Sequence, residues 1–237
     1  MGAMKRRTRL SPNFDARPGA GAIDMLILHY TGMKTAGEAL DRLCDPAAKV
    51  SAHYLIDEDG TVWHLVDELR RAWHAGISSW RGRSDINAAS IGIELVNPGH
   101  EFGYRPFPDA QMAALEELAR GILARHPVPA RNVLGHSDVA PQRKQDPGEL
   151  FDWVRMARAG IGVWPDFGAP VQAPQTAAAL HAALTTIGYA CPAAAEDAAE
   201  MAAVITAFQR HFRPALCDGA LDAETRQRIA ILARDAI

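Results

Sequence analysis

The 237-residue sequence predicts an α/β fold, a β-sheet flanked by helices, followed by a small C-terminal domain of three helices. Three observations carry this. Two continuous apolar runs, Asp24–Tyr30 and Ser90–Asn97, fit strands of a sheet that is covered by helices. A segment opened by Pro108-Asp109 and closed by His126-Pro127 repeats Met112, Leu115, Leu118, Ile122 and Leu123 at three- and four-residue spacing, the period of a helix. After a Gly/Pro-rich stretch, Ala159–Pro174, the composition turns alanine-rich, and Gln175–Ile187, Glu196–Phe212 and Asp222–Ala236 read as helices with turns at Gly188-Tyr189 and Asp218-Gly219.

Taken in order, Ser11–Gly19 has loop chemistry, and Asp24–Tyr30 is a strand with His29 where it leaves the core. Thr35–Cys44 is a short helix with Ala39, Leu40 and Leu43 inward. Val50–Asp57 and Thr61–Val66 form a hairpin about the turn signal Asp59-Gly60, with His53 a candidate for the site and His64 a surface or structural residue. Arg71–Gly76 and Ser78–Ser84 form a loop that either lines a cleft or is a solvated connector with Trp73 in the core. In Ser90–Asn97 a carboxylate, Glu94, interrupts a central strand. Alternation puts Gly92, Glu94 and Val96 on one face, and Gly92 is expected to leave room for water or substrate beside Glu94. A buried carboxylate without a partner costs several kcal/mol, so Glu94 needs a cation, a proton or a task; an arginine salt bridge is the structural alternative.

Asn132-Val133-Leu134 is a strand feeding His136 into the loop Gly135–Gly148, which also carries Lys144 and Asp146. An imidazole, an ammonium and a carboxylate on one loop suit a hydrolytic zinc site if a third ligand comes from elsewhere. Asp146 has a structural alternative, as the N-cap of a helix over Glu149–Arg158 with Pro147 at its first position and Leu150, Trp153, Val154 and Ala157 inward.

Composition bounds the function. With 48% hydrophobic and 22% charged residues the chain is an ordinary globular protein, and a net charge of −3 argues against a nucleic-acid partner held by bulk electrostatics. No stretch reaches transmembrane length. Cys44, Cys191 and Cys217 imply no disulfide framework; Cys191 and Cys217 are a conceivable pair in an oxidising compartment, and reduced thiols are the simpler expectation. No apolar run of signal-peptide length follows Lys5-Arg6-Arg7. The expected location is cytoplasmic, or periplasmic if the native chain carries a leader, and a monomer is expected.

The runs Leu26–Tyr30, Val50–Ile56, Arg71–Gly76, Ser90–Leu95 and Gly135–Gly148, in this order over about residues 20–160, resemble the zinc-dependent N-acetylmuramoyl-L-alanine amidases of the AmpD/AmiD type, relatives of peptidoglycan recognition proteins. The resemblance implies a mixed β-sheet with helices on its faces and a zinc ion (Zn2+) in a groove at one end. It implies His29, His136 and Asp146 as metal ligands, Glu94 as the catalytic carboxylate and Lys144 as the catalytic lysine. His53, Trp73 and His74 are the candidates for substrate contact. The implied activity is hydrolysis of the amide between (1,6-anhydro-)N-acetylmuramic acid and L-alanine of muropeptides, in peptidoglycan recycling. An exported amidase acting on the sacculus and a non-catalytic muropeptide-binding module are the alternatives; a helical His-Glu-x-x-His motif, which would point to a peptidase, is absent. The expected division is a catalytic domain over 1–163 with an N-terminal arm over about 1–20, a linker over 164–174, and a helical domain over 175–237. Ile187-Gly188-Tyr189, Ala207-Phe208-Gln209 and Asp218-Gly219 before Thr225 resemble a small peptidoglycan-binding domain, but the Asp-Gly segment follows the Phe-Gln helix instead of preceding it. Glycan binding and buttressing of the catalytic domain therefore both stay open.

Overall fold

The computed structural model describes residues 5–19, 22–192 and 197–236. The first half of the chain forms β1 (Arg6–Thr8), β2 (Phe14–Ala16), β3 (Met25–Tyr30), α1 (Ala36–Cys44), β4 (Tyr54–Ile56), β5 (Val62–His64) and β6 (Arg70–Ala72). Then come α2 (Ile86–Ala89), β7 (Ser90–Leu95), α3 (Gly99–Phe102), α4 (Asp109–Arg125), β8 (Val133–Gly135), α5 (His136–Val139) and α6 (Trp153–Arg158). The C-terminal helices are α7 (Ala177–Ile187), α8 (Ala198–Phe212) and α9 (Ala223–Asp235).

Six strands make one mixed sheet in the order β1-β5-β4-β7-β3-β8, and β2 pairs with β6 in a separate antiparallel ribbon. The two long apolar runs are its centre. β3 and β7 lie parallel from Met25↔Ser90 to Tyr30↔Leu95, which sets His29 beside Glu94. The hairpin expected about Asp59-Gly60 is present, with β4 and β5 antiparallel and Gly60 at φ 81°; its strands are shorter than the apolar runs suggest.

The two faces of the sheet are covered differently. Leu26, Leu28, Ile91, Ile93 and Leu95 bury against Met112, Leu115, Leu118 and Ile122 of α4. Gln111, fully buried, ties that helix down by donating from Nε2 to the carbonyls of Ile56 (2.9 Å) and Val96 (3.0 Å). On the opposite face Met25, Ile27 and Leu134 share a core with Leu180, Leu184, Phe208, Ile229 and Leu232 of the C-terminal helices. Farther across, Leu55 and Val96 pack under Leu40 and Leu43 of α1. Between these two covers the C-terminal ends of β3 and β7 stay open as a groove, the usual place for a site on parallel strands.

Several expectations need correction. The N-terminal arm is not loop throughout: β1 lies parallel to β5, and β2 pairs with β6, the latter including Arg71-Ala72. These strands are exposed and held by main-chain pairing, which Ser11 N to Leu65 O (2.8 Å) extends into the segment between them, so they leave no apolar pattern. The helix expected over Glu149–Arg158 starts at Trp153, capped by Asp152, whose side chain accepts from Arg155 N. Gly148 at φ 84° and a bond from Leu150 N to Tyr104 Oη (3.0 Å) hold the preceding residues out of helix, leaving Leu150 exposed. Asp146 is therefore no N-cap. His136 enters one helical turn, α5, instead of an irregular loop. The three cysteines are free. Glu196, expected to start a helix, lies outside the described residues; α8 begins at Ala198 with Asp197 as its N-cap.

Candidate metal centre and active site

Three buried side chains converge at the mouth of the sheet. His29 comes from the end of β3, His136 from the first position of α5, and Asp146 from the loop ten residues on. The Nδ1 atoms of the two histidines are 2.9 Å apart, and each is 3.0 Å from Asp146 Oδ2. Ser137 N donates to the Asp146 carbonyl (2.9 Å), fastening one ligand segment to the other.

The outer partners fix which ring nitrogens face inward. Ser90 Oγ donates to the carbonyl of Ile86 (2.7 Å), so it accepts from His74 Nε2 (3.1 Å). His74 Nδ1 is then a bare acceptor for His29 Nε2–H (3.1 Å), and His29 presents the lone pair of Nδ1 to the centre. His136 Nε2 likewise donates to the carbonyl of Ala75 (3.0 Å), leaving Nδ1 for the centre. Burial, reinforced by His136 and only partly offset by Asp146, pulls the His29 pKa down to about 4. Burial would raise the Asp146 pKa, and the adjacent His136 and His29 lower it only by carrying a charge or donating a proton; with both ring N–H groups turned outward, that role falls to a bound cation. Two imidazole lone pairs and a carboxylate oxygen thus face one another with no hydrogen between them, a repulsive triangle that a cation resolves. Donors about 2.0–2.1 Å from a tetrahedral zinc lie about 3.3 Å apart, a small opening of the observed triangle, and zinc is commonly held by His nitrogen and carboxylate oxygen. The residues fit the metal.

Glu94 stands next to His29 across the β3–β7 pair and lines the groove, with Oε2 buried and without a hydrogen-bond partner among the described residues. Burial and the charge of Asp146 push its pKa well up, against the opposing pull of Lys144. Lys144 is exposed and lines the same groove.

The candidates for substrate contact separate. Trp73 lines the groove, its indole donating to Asp15 Oδ2 (2.7 Å) of β2, so the N-terminal arm holds the rim. His74 also reaches the groove, but its ring nitrogens serve His29 and Ser90. His53 is not at the groove. It is fully buried, accepts from Gly92 N at Nδ1 (3.0 Å), and has Nε2 against Arg17 and the Arg70 carbonyl, each 3.1 Å away. The expectation for Gly92 is corrected as well. The space over it is filled by the His74 imidazole, whose Cγ would lie 2.4 Å from a Cβ at position 92. Residues not singled out as site candidates complete the site: Ser90, the carbonyl of Ala75, and Tyr104, which donates to the Pro147 carbonyl (2.6 Å) just beyond Asp146. Tyr104 sits in a loop without pattern, and a main-chain carbonyl has no residue type to read.

Residues 19–149 match the family model described as N-acetylmuramoyl-L-alanine amidase. The chain belongs to that family. It is 40% identical to the Escherichia coli amidase AmiD, over 94% of this chain and 86% of that one. It is 37% identical to the 1,6-anhydro-N-acetylmuramyl-L-alanine amidase AmpD of Haemophilus influenzae, over 61% of this chain and 86% of that one. Among solved structures, Escherichia coli AmiD in complex with anhydro-N-acetylmuramic acid-L-Ala-D-γ-Glu-L-Lys superposes with a TM-score of 0.81 at 39% identity, covering 92% of each chain. AmpDh3 from Pseudomonas aeruginosa in complex with an anhydromuramic pentapeptide also gives 0.81, at 36% identity over 92% of this chain and 94% of that one. As an amidase of this family, the chain is an amide hydrolase with the mixed, helix-flanked sheet of those structures.

Proposed function

We propose that this amidase uses a zinc ion held by His29, His136 and Asp146 to cleave the bond between (1,6-anhydro-)N-acetylmuramic acid and L-alanine of muropeptides. The observation that carries the proposal is the triangle of three inward lone pairs, 2.9–3.0 Å on a side, in a groove that also holds Glu94 and Lys144. When bound, zinc supplies a Lewis acid for the amide carbonyl and lowers the pKa of water toward about 7. Glu94 takes a proton from the attacking water on its groove-lining carboxylate and returns it to the departing L-alanine nitrogen. Burial raises the Glu94 pKa, which suits the second task, and a cation held by the three ligands would oppose that rise. The Lys144 ammonium faces the groove, where negative charge develops on the carbonyl oxygen, a contribution of about 3–4 kcal/mol if it matches an oxyanion-hole donor. Trp73 and the outer edge of His74 form part of the wall against which the muropeptide lies.

The test is metal stoichiometry together with turnover of a purified anhydro-muropeptide. One zinc per chain, activity lost to a chelator and restored by zinc, and loss of both metal and turnover in His136→Ala are expected. Full activity in verified metal-free protein would sink the assignment.

Peptidoglycan recycling on soluble anhydro-muropeptides is the role we favour, supported by the anhydro-muramyl ligands of the related AmiD and AmpDh3 structures, with the cytoplasm as its expected compartment. A periplasmic amidase acting on the sacculus is the second reading. One observation favours it: the chain continues past the amidase match at residue 149 to the C-terminal helices α7, α8 and α9, and an added helical domain suits a polymeric substrate. No helix of the described residues is long and apolar enough to cross a membrane. We read 1–163 as the catalytic domain, 164–174 as linker and 175–237 as a helical domain. Fractionation of the native protein with its N-terminus sequenced separates the two compartments.

A further inference from the structure

Asp138 lies two residues after His136 and is almost entirely buried (1% exposed). Its carboxylate has three donors. Oδ2 accepts from Gly135 N (2.8 Å), closing the helical turn that starts with His136. The other two come from the C-terminal helical region: Tyr189 Oη donates to Oδ1 (2.6 Å), and His211 Nδ1 lies 2.7 Å from Oδ2. Both donors are themselves packed in place. Tyr189 sets its ring edge-on to Trp80 (centroids 5.1 Å apart), and His211 is stacked between Trp153 of α6 (3.7 Å) and Phe212 (3.8 Å). Docking of apolar helices needs no such group; a carboxylate buried in that contact is costly unless its donors are all present.

We propose that Tyr189 and His211 are positioning residues for the metal centre, through which the C-terminal helices hold the His136 turn in its ligating geometry. The proposal rests on the reading of His136 as a metal ligand. The link runs from Tyr189 and His211 to Asp138, from Asp138 to Gly135 and the His136 turn, and from Ser137 N to the Asp146 carbonyl, so two of the three ligands sit on the segment that is clamped. Without the two donors, Asp138 keeps one partner and must turn toward water, dragging the turn with it.

The test measures the zinc dissociation constant of full-length metal-free protein by chelator competition, and the visible spectrum of the cobalt(II)-substituted protein. Four variants are compared: Tyr189→Phe and His211→Phe, which keep the aromatic packing; Ile229→Ala, which removes packing from the same core without touching Asp138; and His136→Ala. All are measured well below their melting temperatures. Tyr189→Phe and His211→Phe are expected to raise the zinc Kd about 10-fold, the lower end of the effect for outer-shell partners, and to shift the cobalt bands. Ile229→Ala should lower Tm while leaving Kd and spectrum unchanged. If His211→Phe does not fold, Tyr189→Phe alone decides. Wild-type Kd and spectrum in the two Asp138-partner variants, with zinc lost in His136→Ala, overturn the positioning role and leave the metal centre intact. Failure of the wild type to bind zinc, or wild-type binding in His136→Ala, overturns the metal-centre reading and this proposal with it.

Discussion

The two faces of the central sheet solve different problems with the same strands. Toward α4 the strands present Leu26, Leu28, Ile91, Ile93 and Leu95, and the buried Gln111 of that helix spends both amide hydrogens on main-chain carbonyls. Toward the groove, the same strands present Ile27 and then His29, or Gly92 and then Glu94, so the face passes from core to chemistry within two residues. The difference shows where tolerance lies. The α4 face stabilises by burial alone and is indifferent to the reaction, while the groove face keeps unpaired lone pairs and a strained charge balance that only function explains.

That contrast can be tested from its strongest consequence downward. Glu94→Gln should fold and retain metal yet turn over about 100-fold more slowly or worse, since a general base typically supplies 10²–10⁴. Near-normal turnover would make Glu94 structural and blur the division. Leu115→Ala, a full truncation on the α4 side, should cost about 2–5 kcal/mol in a denaturation experiment with kcat and zinc content unchanged. A matching fall in kcat would show that the two faces are coupled. Gly92→Ala puts a methyl 2.4 Å from His74 Cγ and must displace that ring from His29. A loss of about 10–100-fold in zinc affinity is expected, and an unchanged affinity would remove His74 from the ligand chain. The smallest effect is on pH. Burial lowers the His53 pKa to about 3, so between that value and the unfolded pKa of about 6.5 the unfolded chain binds the extra proton, and stability falls as pH falls. From pH 6.5 to 5 this group should contribute about 1.7 kcal/mol, read as the difference in the pH dependence of urea midpoints between the metal-free protein and its His53→Gln variant. No difference across that range would mean that His53 charges within the fold.

The candidate site residues were legible because each breaks a local pattern: His29 ends an apolar run, Glu94 interrupts one, and His136 and Asp146 share a loop with Lys144; their separate roles came from the family resemblance. What orients them was not legible. The step from His74 to His29 depends on strand register and on the His74 loop folding back over Gly92, which alternation alone reads as empty space. His53 has the residue type and neighbourhood of a site histidine, and its assignment fails because Arg17, from the N-terminal arm, closes over it. Helices α7, α8 and α9 were predictable from composition, but their shared core with β3 and β8 was not, since contacts such as Tyr189 to Asp138 join residues 51 apart and His211 to Asp138 join residues 73 apart. The edge strand β1 is carried by main-chain bonds under charged side chains, and no side-chain pattern records it.

The pairing of His29 with Glu94 across β3 and β7 has a consequence for folding itself. Side chains alternate along a strand, so sliding β7 by one residue would turn Glu94 away from the groove and press its carboxylate among Leu26, Leu28 and Leu115. Burying that charge in the α4 core, with no cation in reach, is the most expensive error the central sheet can make. A chain with isoleucine or leucine at position 94 would have two nearly equivalent ways to zip the strands together. With glutamate there, the mispaired state is excluded, and the residue proposed for proton transfer also guards the alignment on which that transfer would depend.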